Sequence, residues 1–274
     1  GDNLGVRRGI AVLAICLLTV PFWMAYAQSG STLQLFFDLR TDRTVGRFTL
    51  PSPWLQAINP ILCVGLQPPL QRFWAWQACK GTEPSSALKM AVGAFLCGLS
   101  FALLAAGSYM HGVDAGAKSS LLLPIAMVLP LTLGELYLSP VGLSLISRCA
   151  AGAGTSTGLG IWFLSTGVAD LAGGWFSSLY SICAPSHFFG IAAAVAAASG
   201  VLIWWLTPLL QRAALAERTQ LGFALSATTS PLTSPHASPQ ASPQFSQAVR
   251  LEPHSFAKLS NGQINYQVLS HNKK

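Results

Sequence analysis

Long apolar stretches separated by short polar ones dominate the first 210 residues of the chain. Stretches without a charged residue run over 9–37, 48–71 and 90–110. Each of them is at or above the roughly 20 residues that a membrane-spanning helix needs. The stretches lack the period-two alternation of spanning strands, so a barrel is not expected.

The next two stretches add three more predicted helices. Glu135 is the only charged residue between Lys118 and Arg148, and this stretch has the length of one span. The stretch that follows is long enough for two spans and has a turn-like Ala-Pro-Ser sequence at 184–186. The sequence therefore predicts six helices, over residues 10–37, 54–73, 88–110, 121–147, 157–182 and 187–210.

Composition and charge agree with an all-α membrane protein. Hydrophobic residues make up 51% of the 274 residues and charged residues only 9%, against roughly 25% charged in an ordinary soluble domain. Six spans place both ends on one side of the membrane. Lysines and arginines are more numerous on that side, which predicts cytoplasmic termini, with the plasma (inner) membrane as the expected location. The basic residues on that side are Arg7, Arg8, Arg72, Lys80, Lys89, Arg148, Arg212 and Arg218, against Arg40, Arg43, Arg47 and Lys118 on the other.

The predicted organisation has three parts: an N-terminal cytoplasmic segment over 1–9, a helical bundle over 10–210 and a cytoplasmic tail over 211–274. Ser-Pro pairs and polar residues recur in the tail, a composition typical of disorder. The net charge of +7 is scattered among loops and tail, so no nucleic acid partner is predicted. The six cysteines lack C-x-x-C spacing, so neither a metal nor a disulfide is predicted.

Glu135 is the candidate functional residue, because a carboxylate inside a spanning helix costs about 2.5–3.5 kcal/mol and usually faces a cavity or a partner. The alternative is a structural ion pair with a basic residue. Ser139 lies one helical turn further and shares a face with the carboxylate. The same helix contains Pro124, Pro130 and Pro140, which predict a kinked or interrupted helix.

Four segments of the chain resemble a known family. The sequence GELYLSPVGLSLISRCA at 134–150 is similar to the tenth helix of the proton-dependent oligopeptide transporters, members of the major facilitator superfamily. Residues 21–42, 54–70 and 157–179 resemble the seventh, eighth and eleventh helices. The resemblance implies that the chain forms the C-terminal half of a twelve-helix transporter.

The resemblance also implies roles for five residues. Glu135 would face the amino terminus of a bound peptide, with Ser139 beside it. Asn59 would hydrogen-bond the peptide backbone. Trp162 would shape a pocket for a substrate side chain, with Ser165 one turn away.

The seventh-helix segment departs from many family members. An acidic residue is common there before the glutamine, but this chain has Ala27 before Gln28. Other members share the Tyr-x-Gln form seen here, which adds Tyr26 and Gln28 to the expected substrate site. Asp170 stands where asparagine is frequent in the family. It is either a second proton site beside Glu135 or a neutral residue hydrogen-bonded to its neighbours.

The leading hypothesis is the C-terminal half of a proton-coupled symporter of di- and tripeptides. The proton gradient would supply the energy, and no cofactor is expected. The family's first-helix E-x-x-E-R-F motif and fourth-helix lysine have no counterpart, so an N-terminal six-helix half is an expected partner. The alternative is a non-transporting relative that pairs with or regulates a full-length transporter. An enzyme is not predicted, because catalysis would need a nucleophile with a base, a carboxylate pair or a metal site. The predicted spans contain no histidine cluster, and nothing in the spacing of Glu135 and Asp170 requires them to pair.

Overall fold

The computed structural model describes the backbone of residues 2–150 and 154–228 and the side chains of residues 9–150 and 154–208. Within this part of the chain, helices account for nearly all of the regular structure. The helices are α1 (Asp2–Tyr26), α2 (Thr32–Arg40), α3 (Pro53–Cys79), α4 (Ser86–Met110), α5 (Leu122–Cys149), α6 (Thr155–Ser177) and α7 (Pro185–Thr228). Short 3₁₀-helices cover Ala27–Ser29, Val113–Ala115 and Ser178–Ser181.

A small hairpin occupies the connection between α2 and α3. Strands β1 (Thr44–Val45) and β2 (Phe48–Thr49) pair in antiparallel register, with Val45 opposite Phe48. Gly46 in the turn has a φ of 63°, a conformation that favours glycine. The hairpin closes the polar connection between two helical segments.

The first predicted helix is not continuous. Residues 10–37 were expected to form one continuous helix, but α1 ends at Tyr26 and a 3₁₀ segment separates it from α2. The interruption lies in the sequence Gln-Ser-Gly-Ser at 28–31. Glycine lowers helical propensity and serine hydroxyls compete for backbone groups, so this sequence is a weak point in the helix.

Two predicted boundaries also differ from the structure. Helix α1 begins at Asp2, inside the predicted N-terminal segment, and α7 extends to Thr228 instead of ending near 210. Residues 211–228 are rich in alanine, leucine, glutamine and arginine and contain no proline, a composition that favours helix. Residues 211–228, predicted as the start of the tail, therefore belong to α7. The rest of the predicted tail lies outside the described residues.

Four helical stretches in the described residues are long and apolar enough to cross a membrane. They are Gly9–Arg40, Ser86–Met110, Leu122–Cys149 and Pro185–Pro208. Helices α3 and α6 are 27 and 23 residues long. These lengths and compositions make the chain a multi-pass integral membrane protein, whereas the six-span count stays a prediction.

Helix α5 is central to the bundle, because it packs against α4 along its length and also contacts α1, α3 and α6. It continues through Pro130 and Pro140, so the expected interruption is wrong and a kink stays a prediction. A proline removes one backbone donor, but a helix surrounded by other helices can continue past it. The packing around α5 explains why the prolines do not end it.

Glycines bring α4 and α5 into backbone contact. A Cβ on Gly93 of α4 would lie 2.7 Å from the carbonyl oxygen of Gly134 on α5, and a Cβ on Gly134 would lie 2.7 Å from the Gly93 oxygen. Small residues allow this close approach between membrane helices. Because Gly134 precedes Glu135, the crossing fixes the position of the candidate carboxylate in the bundle.

Candidate substrate-binding site

Two helices bring hydrogen-bond donors to the Glu135 carboxylate on α5. The Tyr26 hydroxyl at the end of α1 donates to Oε2 over 2.5 Å. The Asn59 amide on α3 donates to the same oxygen over 3.1 Å. The Cys63 thiol, one turn further along α3, lies 3.6 Å from it. The hydrogen bonds that the described residues give to Glu135 thus all fall on Oε2.

Asn59 is held at both ends of its amide group. Its Nδ2 donates to the Tyr26 hydroxyl over 2.9 Å as well as to the carboxylate. Its Oδ1 accepts from the Thr132 hydroxyl of α5 over 2.5 Å. Tyr26, Asn59 and Glu135 therefore form a closed set of contacts between α1, α3 and α5.

The described residues give Glu135 neutral partners and no basic one. The ion pairs in this part of the chain join Arg43 to Asp38 over 3.1 Å and Lys89 to Glu83 over 2.5 Å. The hypothesis of a structural ion pair for Glu135 is therefore not supported among these residues. A carboxylate with neutral hydrogen-bonding partners and no cation remains available for a cationic ligand.

A cavity of about 610 Å³ lies beside this set of contacts. Its size is within the roughly 300–1,000 Å³ of small-molecule sites. Four residues predicted from the sequence line it, namely Tyr26, Ser139, Trp162 and Asp170. The other lining residues are Trp23, Ala27, Ser29, Gly30, Ser31, Leu143, Phe163 and Thr166.

Aromatic rings form one wall of this cavity. The ring of Trp23 packs edge-on against Tyr26, with centroids 5.6 Å apart, and against Trp162, with centroids 6.2 Å apart. Gly142 on α5 makes room for the buried Trp162, because a Cβ there would lie 2.5 Å from the indole. A lining that contains both aromatic and polar groups suits a ligand with both kinds of surface.

Gln28 joins α1 to α6 instead of lining the cavity. Its side-chain amide nitrogen, Nε2, donates to the carbonyl oxygens of Met24 and Gly173 over 3.1 and 3.0 Å. Its Oε1 accepts from Thr32 over 3.2 Å and from Ser177 over 2.9 Å. The buried side chain thus has protein partners at both ends, and its expected role in substrate binding stays a prediction.

Ser165 also faces protein. Its hydroxyl donates to the Trp162 carbonyl oxygen over 2.7 Å and lies within hydrogen-bonding reach of Cys16 on α1.

A second cavity, of about 240 Å³, is lined in part by Asn59, Gln56 and Leu131. Asn59 therefore has one cavity beside it and, through Tyr26, contact with the larger one.

Three residues of the site were missed from the sequence, and two of them had a detectable signal. Cys63 lies four residues after Asn59, and Thr132 lies three residues before Glu135, so each shares a helix face with a predicted residue. The position of Trp23 depends on how α1 meets α6, which a single sequence does not reveal.

Among the described residues, no group of three or more histidine, cysteine or acidic side chains is placed to hold a metal ion.

The fold and the cavity define a class: a multi-pass membrane protein with a cavity between its helices, beside the Glu135 carboxylate. The family model described as POT family matches residues 3–189. The chain belongs to this family.

Relatives in the same family are named as transporters. The chain is 30% identical to the uncharacterized transporter YclF of Bacillus subtilis over 215 residues, covering 77% of this chain and 42% of that protein. It is 30% identical to the peptide transporter YePEPT of Yersinia enterocolitica, covering 74% and 41%. It is 27% identical to dipeptide and tripeptide permease B of Salmonella typhimurium, covering 66% and 37%. The chain thus spans about two fifths of the length of these relatives.

Solved structures agree with this assignment. A peptide transporter of the POT family in complex with sulfate superposes with a TM-score of 0.69 at 26% identity, covering 75% of this chain and 41% of that one. A mutant form in complex with alafosfalin gives a TM-score of 0.67 at the same identity and coverage. The bundle described here therefore has the fold of part of a peptide transporter.

Proposed function

We propose that the chain supplies the C-terminal six-helix half of a proton-coupled transporter of di- and tripeptides. The observation that carries the proposal is the Glu135 carboxylate, which has neutral partners and lies beside a cavity of about 610 Å³. Its support is the family match and the names of the peptide-transporting relatives. The six spans would place both termini in the cytoplasm, across a plasma (inner) membrane.

Each part of a short peptide would have a matching group. The ammonium group would bind the Glu135 carboxylate, and Ser139 would add a hydroxyl at the cavity wall. Asn59 would exchange a protein hydrogen bond for one to the peptide backbone. Trp162 and its aromatic neighbours would bind a side chain. These pairings follow the ordinary donors and acceptors of the groups.

The carboxylate end of the peptide needs a cation, which would come from an N-terminal six-helix half. Protons would be taken up at Glu135, with Asp170 as a second candidate in the cavity wall. When the ammonium group or a proton occupies Oε2, Tyr26 and Asn59 lose their acceptor. A proton and an ammonium group cannot occupy this oxygen together, so a proton carried with the peptide would be held at a second site, for which Asp170 is the candidate.

The test is dipeptide uptake driven by an imposed pH gradient in proteoliposomes. The chain is combined with the N-terminal half of the Yersinia relative, and Glu135→Gln is compared with Asp38→Asn, an acidic residue outside the cavity. Loss of one charge-assisted hydrogen bond predicts roughly ten- to a hundredfold weaker uptake for Glu135→Gln. Asp38→Asn should stay within twofold of wild type.

Unchanged uptake in Glu135→Gln would contradict the proposed role of the carboxylate. Asp170→Asn distinguishes the two hypotheses for that residue. Loss of pH-gradient dependence would identify Asp170 as a proton site, and unchanged uptake would show that Asp170 is not needed for proton coupling. No uptake by the wild-type combination, with correct insertion in the membrane, would favour the non-transporting partner instead.

A further inference from the structure

Thr132 is a buried polar residue beside the candidate site. Its side chain is fully buried on α5, one turn before Glu135. Its hydroxyl has two acceptors within reach, Asn59 Oδ1 at 2.5 Å and the Val128 carbonyl oxygen at 2.8 Å. A hydroxyl has a single hydrogen, so it can donate fully to only one of them at a time.

The choice of acceptor is linked to the direction of the Asn59 amide. In the structure, Nδ2 of Asn59 faces Glu135 and Tyr26, and Oδ1 faces Thr132. The reversed amide would place Oδ1 near Glu135 Oε2 with no hydrogen between two acceptors. It would also place Nδ2 against Thr132, whose hydroxyl would then accept from Asn59 and donate to Val128. Thr132 can therefore pair with the amide in either direction, and the carboxylate decides which direction is favoured.

We propose that Thr132 is a positioning residue that holds the Asn59 amide in place in both directions, while the state of Glu135 selects the direction. The inference rests on the proposed function, because it assigns a role at the same site. When a proton binds Glu135 Oε2, that oxygen becomes a donor, and Oδ1 of a reversed Asn59 accepts from it. The Thr132 hydroxyl then turns to the Val128 carbonyl oxygen. The pair Thr132 and Asn59 thus changes direction with the occupancy of the carboxylate.

Among the described residues, three titratable side chains are in hydrogen-bonding contact with this pair, namely Glu135, Tyr26 and Cys63. Glu135 on α5 and Tyr26 at the end of α1 contact the Asn59 amide directly. Cys63 on α3 lies 3.9 Å from Asn59 Oδ1 and 3.6 Å from the carboxylate. The direction of the amide therefore depends on the state of Glu135 and on donors that stay in place around it.

The experiment measures dipeptide uptake against pH in the same two-half proteoliposomes. Thr132→Val removes the hydroxyl with little change in volume, and Thr132→Ser restores it. Thr207→Val is the matched control, because the Thr207 hydroxyl makes the same i−4 bond, to Ile203 over 2.8 Å, away from the site. Each variant is also made in an Asn59→Leu background, which removes the amide that Thr132 is proposed to hold in place.

A role through Asn59 predicts a specific pattern. Thr132→Val should raise the dipeptide concentration needed for half-maximal uptake roughly two- to tenfold, the range of one hydrogen bond. It should also shift the pH midpoint of uptake. Thr132→Ser and Thr207→Val should stay within twofold of wild type. In the Asn59→Leu background, Thr132→Val should have no further effect, because residues that act through one another are not additive.

The outcomes separate this inference from the proposed function. If Glu135→Gln still weakens uptake as expected, an equal loss from Thr132→Val in both backgrounds, or an unchanged pH profile, overturns the inference alone. Failure of Thr132→Ser to restore the wild-type profile also overturns it. Unchanged uptake in Glu135→Gln overturns the proposed function and this inference together.

Discussion

The contact between α4 and α5 gives the most direct test of the packing. A Cβ added at Gly93 would lie 2.7 Å from the Gly134 carbonyl oxygen and 3.1 Å from the Leu138 backbone nitrogen. Both atoms belong to the backbone of a helix, so rotation of a side chain cannot relieve the contact. Gly93→Ala therefore requires the two helices to move apart.

The size of the movement follows from the distances. Ordinary van der Waals contact begins at 3.4 Å, so the crossing must open by at least about 0.7 Å. Overpacking of a core costs about 1–3 kcal/mol, and the higher helical propensity of alanine returns about 0.5–1 kcal/mol. The net loss in the free energy of unfolding is about 0.5–2 kcal/mol.

The assay is thermal unfolding of the purified protein in detergent micelles. A loss of this size lowers the melting temperature by about 1–8 °C in a chain of this length. Gly65→Ala on α3 is the control, because a Cβ there meets nothing within 4 Å. The reasoning is refuted if Gly93→Ala melts at or above the temperature of Gly65→Ala.

Two further predictions concern an ion pair and the cavity wall. Lys89→Met should lower the melting temperature more than Arg43→Met, because the Lys89 side chain is 8% exposed and the Arg43 side chain 24%; equal melting temperatures would contradict this. Gly142→Ala should displace the Trp162 indole, which a Cβ would approach to 2.5 Å, and weaken binding of dipeptides with a bulky side chain more than binding of dialanine. Gly160→Ala, with nothing within 4 Å of its Cβ, should change neither affinity, as isothermal titration calorimetry would show.

Hydropathy predicted the long helices well, because each apolar stretch has to bury its backbone groups within one helix. The break after Tyr26 and the continuity of α5 were not predicted, although each has a local basis. Serine and glycine at 28–31 weaken a helix in isolation, whereas the prolines of α5 are compensated by neighbouring helices. Hydropathy alone does not separate these two cases.

The candidate site shows a similar division. The likeness to a family predicted that Tyr26, Asn59 and Glu135 belong to one site, and the structure brings these residues into contact across three helices. The expected place of Gln28 in the substrate site remains untested, and its observed contacts depend on a glycine 145 positions away. Contacts of this kind arise from how helices meet, which the residue types on one helix do not specify.

The attachment of Gln28 to α6 has a consequence for movement within the bundle. Gln28 lies two residues after Tyr26 and hydrogen-bonds Gly173 and Ser177 of α6. Tyr26 itself hydrogen-bonds the Glu135 carboxylate of α5. If α6 swings away from α5 to widen the cavity, the end of α1 travels with it and Tyr26 leaves the carboxylate. The width of the cavity and the Tyr26–Glu135 hydrogen bond would then change together. A ligand that replaces Tyr26 at Glu135 would therefore also free α1 and α6 to move away from α5.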